Sequence, residues 1–291
     1  MVKHVVVTPV KNELEFLPNS IDSMVNQTVR PDEWILVDDS SEDGSREVME
    51  EAANKYGWIK LECSALSNER SRGANISRLF TLGLSASDFE WDFCSKIDAD
   101  IILPLNYFEK ILREFAADDK LGIASGNCYV QSNKGKRKIE KVENHHTRGA
   151  LKTYRKECFL HIGGVKEIDG WDGLDNMAAQ FHGWKTRNFP EILARHMRAT
   201  GFHEGMLSNC FGSGIKSHKL SYSWPYLFGK GVVQMGKWPY FIGGLSLIIG
   251  FFWAKISRVE KIEDREIAQF IKKKQRMDVL KRISFRRNDD Y

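Results

Sequence analysis

The chain of 291 residues is 42% hydrophobic and 28% charged, a balance that excludes wholesale disorder and suits one large α/β domain with an appendage. Its net charge of +4 points to no partner by itself, although the C-terminal end is far more basic than the rest. Five cysteines, Cys63, Cys94, Cys128, Cys158 and Cys210, form no CxxC pair, which argues against a disulfide framework or a zinc site and for a reducing cytosol.

The opening VKHVVVTP is too short for a signal-peptide core and reads as a first strand (3–9), which Pro9 is expected to stop. Phe16, Leu17, Ile21, Met24 and Val25 then recur at helical spacing. EWILVDDS (33–40) is a second strand, and SEDGSREVMEEAANKYG (41–57) a helix with an acidic first turn and Gly57 as its stop. WIKLECSA (58–65), RGANISRLFTLGLSAS (72–87) and residues 91–97 predict strand, helix and strand. LNYFEKILREFAAD (105–118) predicts a helix, LGIASGNCYVQ (121–131) a strand, NKGKRKIEKVEN (133–144) a charged loop or edge hairpin, and residues 185–193 a further strand. Apolar strands separated by amphipathic helices predict an α/β fold, a mostly parallel sheet covered on both faces. Ligands of such sheets sit beyond the carboxyl ends of the strands, where this chain puts Thr8, Asp38, Asp39, Asp98 and Asp100.

FCSKIDADIILP (93–104) ends an apolar run in two carboxylates, one residue apart. In an extended chain residues two apart point to the same side, so Asp98 and Asp100 are placed to share a hard divalent ion that relieves their repulsion. Exposed turn residues are the alternative. In VDDSSEDGS (37–45), Asp38 and Asp39 close a strand with acceptors suited to a base or ribose, while Ser41 or Asp43 is expected to cap the next helix. No GxGxxG or P-loop is present, which disfavours a Rossmann dehydrogenase.

VVVTPVKNE (5–13), VDDSSEDGS (37–45), NERSRGANISR (68–78) and KIDADIILP (96–104), in this order, resemble the nucleotide-sugar half of family 2 glycosyltransferases of the GT-A fold. The resemblance implies an inverting, membrane-associated enzyme using a UDP- or GDP-sugar. It matches Thr8, Pro9 and Glu13 to the first-strand loop, Asp39 to the base-contacting acid and Arg72 to a basic residue on the nucleotide side. Asp98 and Asp100 match the pair that holds Mn²⁺ or Mg²⁺ on the diphosphate.

IDGWDGLDNMAAQFHGWKT (168–186) offers Asp169, Asp172 and Asp175 near the start of a helix ending at Gly183, and resembles the family's acceptor-side motif with W-D-x-x-D in place of Glu-Asp. Asp175 is the expected base, with Asp172 as second candidate or helix cap. A single base facing the anomeric carbon from the side opposite the leaving group inverts configuration. Trp171 is a candidate for stacking on a sugar. In ARHMRATGFHEG (194–205), His196 and His203 are candidate third metal ligands, His203 the one chosen, and Arg198 a candidate phosphate or acceptor contact. His145 and His146 read as surface, and Gly163-Gly164 as a point of close backbone approach.

Residues 238–254 carry no charged side chain and lie between Lys237 and Lys255, with Trp238, Tyr240 and Trp253 near the ends. That length is the lower limit for a spanning helix, and Pro239 and Gly243-Gly244 argue against one straight span. Residues 255–287 hold twelve Lys or Arg against five Asp or Glu, a pattern for an anionic membrane face. Nucleic acid, the other partner of a basic run, is not expected. The chain is thus read as a GT-A domain over 1–205 (nucleotide-sugar half 1–104, acceptor half 105–205) and a helical membrane-associating region over 206–291. The expected location is the cytoplasmic face of a membrane, peripheral or monotopic, with a lipid-linked or cell-envelope glycan as acceptor. The alternatives are a polyprenyl-phosphate sugar synthase, leaning on Arg148 and Arg198, or a nucleotide-sugar-binding adaptor without turnover.

Overall fold

The computed structural model describes residues 2–64, 72–131, 135–140, 142–198 and 205–288. The chain divides into two compact units, Met1–Ala199 and Thr200–Tyr291. In the first, strands and helices alternate as β1 (His4–Val10), α1 (Leu17–Val25), β2 (Glu33–Asp38), α2 (Ser45–Lys55), β3 (Ile59–Cys63), α3 (Arg72–Ser85), β4 (Phe93–Ile97), β5 (Ile101–Ile102) and α4 (Tyr107–Ala117). The first unit continues with β6 (Leu121–Gln131), β7 (Arg137–Ile139), β8 (Leu151–Arg155), α5 (Lys156–His161), α6 (Trp171–Phe181) and β9 (Lys185–His196).

Among the described residues the strands form one sheet in the order β3-β2-β1-β4-β8-β6-β9-β5, with β7 beside β6. β3, β2, β1 and β4 are mutually parallel. β8 enters antiparallel between β4 and β6, and β5 pairs antiparallel with β9. The parallel half reads as apolar runs because both faces are covered: Val5, Val6, Val7, Ile35, Leu36 and Val37 have no exposed surface. Helix α4 turns Tyr107, Phe108, Ile111 and Phe115 onto the sheet at helical spacing. Tyr107 then ties two strands, its hydroxyl donating to Leu151 O (2.9 Å) and accepting from Gly126 N–H (3.1 Å).

Several expectations are corrected. β1 runs through Pro9, because β4 pairs with β1 only as far as Val7 and the missing N–H faces no partner strand. α2 starts at Ser45 after Gly44 at φ +95°, with no side-chain cap at its N-cap; Asp43 instead accepts N–H bonds from Ser45 (3.0 Å) and Leu14 (3.0 Å). Asp98 and Asp100 lie in a turn, not an extended segment, with Ile101 N–H donating to Asp98 O at 3.2 Å. Gly163 and Gly164 sit at φ +68° and +71°, a turn that closes α5, with no close backbone approach to either.

The second unit holds α7 (Met206–Lys219), α8 (Trp224–Met235), α9 (Tyr240–Ile256) and α10 (Arg265–Asn288). α9 continues through Gly243-Gly244 instead of breaking there. Its glycines lie on the packed face, where the neighbouring helices come too close for a side chain.

Gly83 on α3 faces the sheet so tightly that an added Cβ would come within 2.5 Å of Val7 Cγ1 and 2.7 Å of Val37 Cγ2. Gly83→Val should cost about 1–3 kcal/mol in urea unfolding. Gly57→Ala, with nothing within 4 Å, should shift the midpoint little.

Candidate active site

The loops after β1 and β2 are laced together by their polar side chains. Asn12 N–H donates to Ser41 Oγ (3.1 Å), Glu13 N–H to Ser45 Oγ (2.8 Å) and Glu42 N–H to Asn12 Oδ1 (2.8 Å). Asp38 accepts from Ser41 N–H (3.0 Å). Asp39 accepts from Asn75 Nδ2 (2.8 Å) on α3, with Lys11 Nζ at 3.4 Å and Arg78 at 3.9 Å. Thr8 has no exposed surface and its hydroxyl accepts the Trp34 indole N–H at 2.9 Å, so its side chain serves the scaffold. Arg72 opens α3, but its side chain is outside the described set, and His203 lies outside the described residues.

Asp98 is about one-third exposed and paired with the buried Lys96 ammonium. The pairing of Ile101 with His196 brings Asp100 against β9, where its Oδ2 meets Arg198 Nε (3.1 Å) and His196 Nε2 (3.5 Å). Burial would raise the Asp100 carboxyl, but His196 and Arg198 hold it below the usual carboxylate range. His196 is pulled down by burial and pushed up more strongly by Asp100 and Glu140, to about 9. Arg198 also grips Glu13. The other Glu13 oxygen, Oε2, is buried without a hydrogen-bond partner among the described residues, and desolvation, against the pull of Arg198, pushes this carboxyl up. Glu13 and Asp100 thus share Arg198, and Glu13 feels the charges of both Asp100 and Asp98, so the three carboxylates are electrostatic neighbours. That donor set fits Mg²⁺ or Mn²⁺. Cys128, Glu140 and His196 also bring ligand atoms within 4.8 Å of one another. Glu140 is taken by Arg148, and burial pushes the thiol up to about 12, so this cluster reads as packing.

Two lysines that the sequence reading passed over lie beneath the site. Lys96 and Lys152 face each other across β4 and β8, both buried, with Nζ atoms 5.7 and 5.3 Å from the Trp171 ring centre. Trp171 is buried over these ammonium groups, so cation–π packing replaces the expected sugar platform. Lys152 Nζ donates to both oxygens of Asp175 at 2.8 Å, and Tyr154 OH donates to the same carboxylate at 2.5 Å. Asp175 is thus a buried, fully engaged anion and not an accessible base; burial pushes its carboxyl up against the pull of Lys152.

Asp172 is half-buried and differently placed. Its carbonyl accepts from Lys152 Nζ (2.7 Å) and Asn176 Nδ2 (2.7 Å), fixing the backbone while leaving the carboxylate at the edge. Gly149 lets the neighbouring loop close in: a Cβ there would come within 3.0 Å of Asp172 Cβ. It does not cap α6, which has no side-chain cap. Asp169 accepts from Gly73 N–H (3.2 Å), joining the starts of α3 and α6. His146 is no surface residue: it packs near Gly173, and burial lowers it to about 4. The signal for the lysines was present in the sequence, since FCSKI and LKTYR each place a cation inside a strand that must be buried.

Residues 5–165 match glycosyl transferase family 2, and the chain belongs to that family. The cholesterol galactosyltransferase of Borreliella burgdorferi is 36% identical over 123 residues, 41% of this chain and 30% of that protein. Glycosyltransferase GlyA of Streptococcus pneumoniae is 28% identical over 133 residues, 44% of this chain and 17% of that protein. The matched stretch thus spans less than a third of either curated relative. Among solved structures, the Pyrobaculum calidifontis mannosyltransferase with GDP-Man and Mn²⁺ superposes with a TM-score of 0.60 at 13% identity, covering 89% of this chain and 88% of that one. These likenesses establish the GT-A fold.

His146 gives a pH dependence with a defined sign. Its ring is harder to protonate in the fold (about 4) than at the ordinary value of 6.5, so its contribution to stability is present above pH 6.5 and lost as pH falls toward 4. Unfolding midpoints of His146→Gln should vary less with pH across that window than those of the parent. An identical profile would contradict the buried-imidazole reading.

Proposed function

We propose that the first unit transfers a sugar from a UDP- or GDP-sugar to a hydroxyl acceptor with inversion of configuration. The observation that carries this reading is the gathering of Glu13, Asp98 and Asp100 at the carboxyl ends of β1 and β4, where Glu13 Oε2 is buried without a partner among the described residues. Asp98 and Asp100 would hold Mn²⁺ or Mg²⁺, as the Mn²⁺ in the Pyrobaculum enzyme supports. When bound, the ion offsets charge developing on the departing diphosphate. Asp38 and Asp39, held by the β2 loop and α3, face the nucleoside side, and Pro9 shapes the adjoining strand end. Arg198, already bridging Glu13 and Asp100, sets the spacing of the carboxylates.

Asp172 is the base in this reading, and Asp175 positions it. The Asp175 carboxylate fixes Lys152, which in turn holds the Asp172 main chain. The acceptor is a lipid-linked or envelope glycan, or a lipid hydroxyl, a class supported by the name of the Borreliella relative. The second unit supports action at an anionic membrane face, although no helix among the described residues is long and apolar enough to cross a membrane.

Transfer assays with UDP- and GDP-sugars test the assignment. Asp172→Asn should lower kcat about 10²–10⁴-fold with little change in donor KM. Asp175→Asn should lower both activity and thermal stability, because removing one partner of a buried ion pair costs about 3–5 kcal/mol. Full activity in Asp172→Asn would remove that residue as base. Unchanged transfer to polyprenyl phosphate in the same variant would favour the lipid-phosphate synthase.

A further inference from the structure

Between Gly205 and Val259 the chain contains six lysines and arginines and no aspartate or glutamate. Most of the chain's exposed large apolar side chains also lie here. The outer face of α9 presents Phe241 (72% exposed), Ile242, Leu245, Ile249, Trp253 and Ile256 (81%). α8 extends the face through Trp224 and Phe228, and ring contacts from Trp224 to Phe228 (6.2 Å) and Phe228 to Phe252 (6.3 Å) carry it across both helices.

The opposite face of α9 is packed by glycine. A Cβ on Gly214 would come within 2.0 Å of Leu247 O, one on Gly250 within 2.2 Å of Phe211 O, and one on Gly244 within 2.5 Å of Gly231 O. Helices meet backbone to backbone in this manner where the surroundings are themselves apolar. An apolar helix on every side, with one side uncovered by the described residues, is unsuited to water.

Size and charge decide between occupants. α9 has 17 residues, about 25 Å at 1.5 Å per residue, short of the ~30 Å hydrocarbon core. The cations gather at its ends: Lys237 precedes it, while Lys255 and Arg258 close it. Lys230 reaches back toward Tyr222 (5.6 Å to the ring) and Ser217 (3.4 Å) on or near α7, leaving the apolar face uncharged. A second copy of the chain would bring two sets of uncompensated cations together, whereas acidic headgroups neutralise them.

We propose that α8 and α9 lie in the plane of one leaflet of an anionic bilayer. Their shared face sits among the upper acyl chains, and Lys237, Lys255 and Arg258 sit at the phosphates. This deepens the membrane-face reading above and rests on it.

The test uses the full chain with phosphatidylcholine vesicles, with and without phosphatidylglycerol, and with acyl-brominated lipid to quench tryptophan. Binding should require phosphatidylglycerol, and bromine should quench the emission. Phe241→Asp with Ile249→Asp should weaken binding at least tenfold, with helix content by circular dichroism and nucleotide binding unchanged. Lys255→Glu with Arg258→Glu should weaken it too and reduce its salt dependence. Binding that survives Phe241→Asp/Ile249→Asp and vanishes with salt would overturn insertion while leaving surface attachment. Absence of binding to either vesicle would overturn both, and self-association lost in the aspartate variant would assign the face to a second copy.

Discussion

A carboxylate buried at the edge of a sheet must meet a cation, and the first unit is organised around that requirement. Lys96 answers Asp98, Lys152 answers Asp175, and Arg198 with His196 answers Asp100. The two lysines lie directly across from each other on β4 and β8, an arrangement that like charges tolerate only because each has its own acid. Trp171 closes over both, which ties the start of α6 to the strands beneath it. The acids are therefore graded by accessibility. Asp175 is sealed, Asp100 is nearly so, and Asp98 and Asp172 are partly exposed.

The topology explains why these charges converge. Parallel β1, β2 and β4 deliver Glu13, Asp39 and Asp98 to one side of the sheet. The antiparallel insertion of β8 then carries Lys152 back under them, and the β5–β9 pairing sets His196 and Arg198 beside Asp100. Fold and site are thus one arrangement: removing β8 would leave Asp175 without its counter-ion and α6 without its anchor. The second unit follows another logic, packing its helices through glycines and leaving an apolar face with basic ends.

Much of this was legible in the sequence. Continuous apolar runs marked β1, β2 and β4, and acids at their ends marked the candidate site, because both signals are local. The antiparallel half was harder, since β8 pairs with strands distant in the chain, and the partner of its Lys152, Asp175, lies 23 residues on. The difference in burial between Asp172 and Asp175 follows helical phase. Residues three apart differ by about 60° in direction, enough to bury one with Trp171 and Leu174 and leave the other at the rim. The Gly243-Gly244 pair misled for a related reason: glycine disfavours helix locally, but here it admits a neighbouring backbone that stabilises the helix.

Glu13, Asp98 and Asp100 are proposed as a cation site serving a nucleoside diphosphate. Calorimetric titration of UDP and of GDP, with and without Mn²⁺, tests it most directly in the parent chain and in Asp98→Ala/Asp100→Ala. The expected result is Mn²⁺-dependent binding of one nucleotide by the parent, lost in a variant whose circular dichroism spectrum remains native. Binding indifferent to Mn²⁺ and to the double substitution would contradict it.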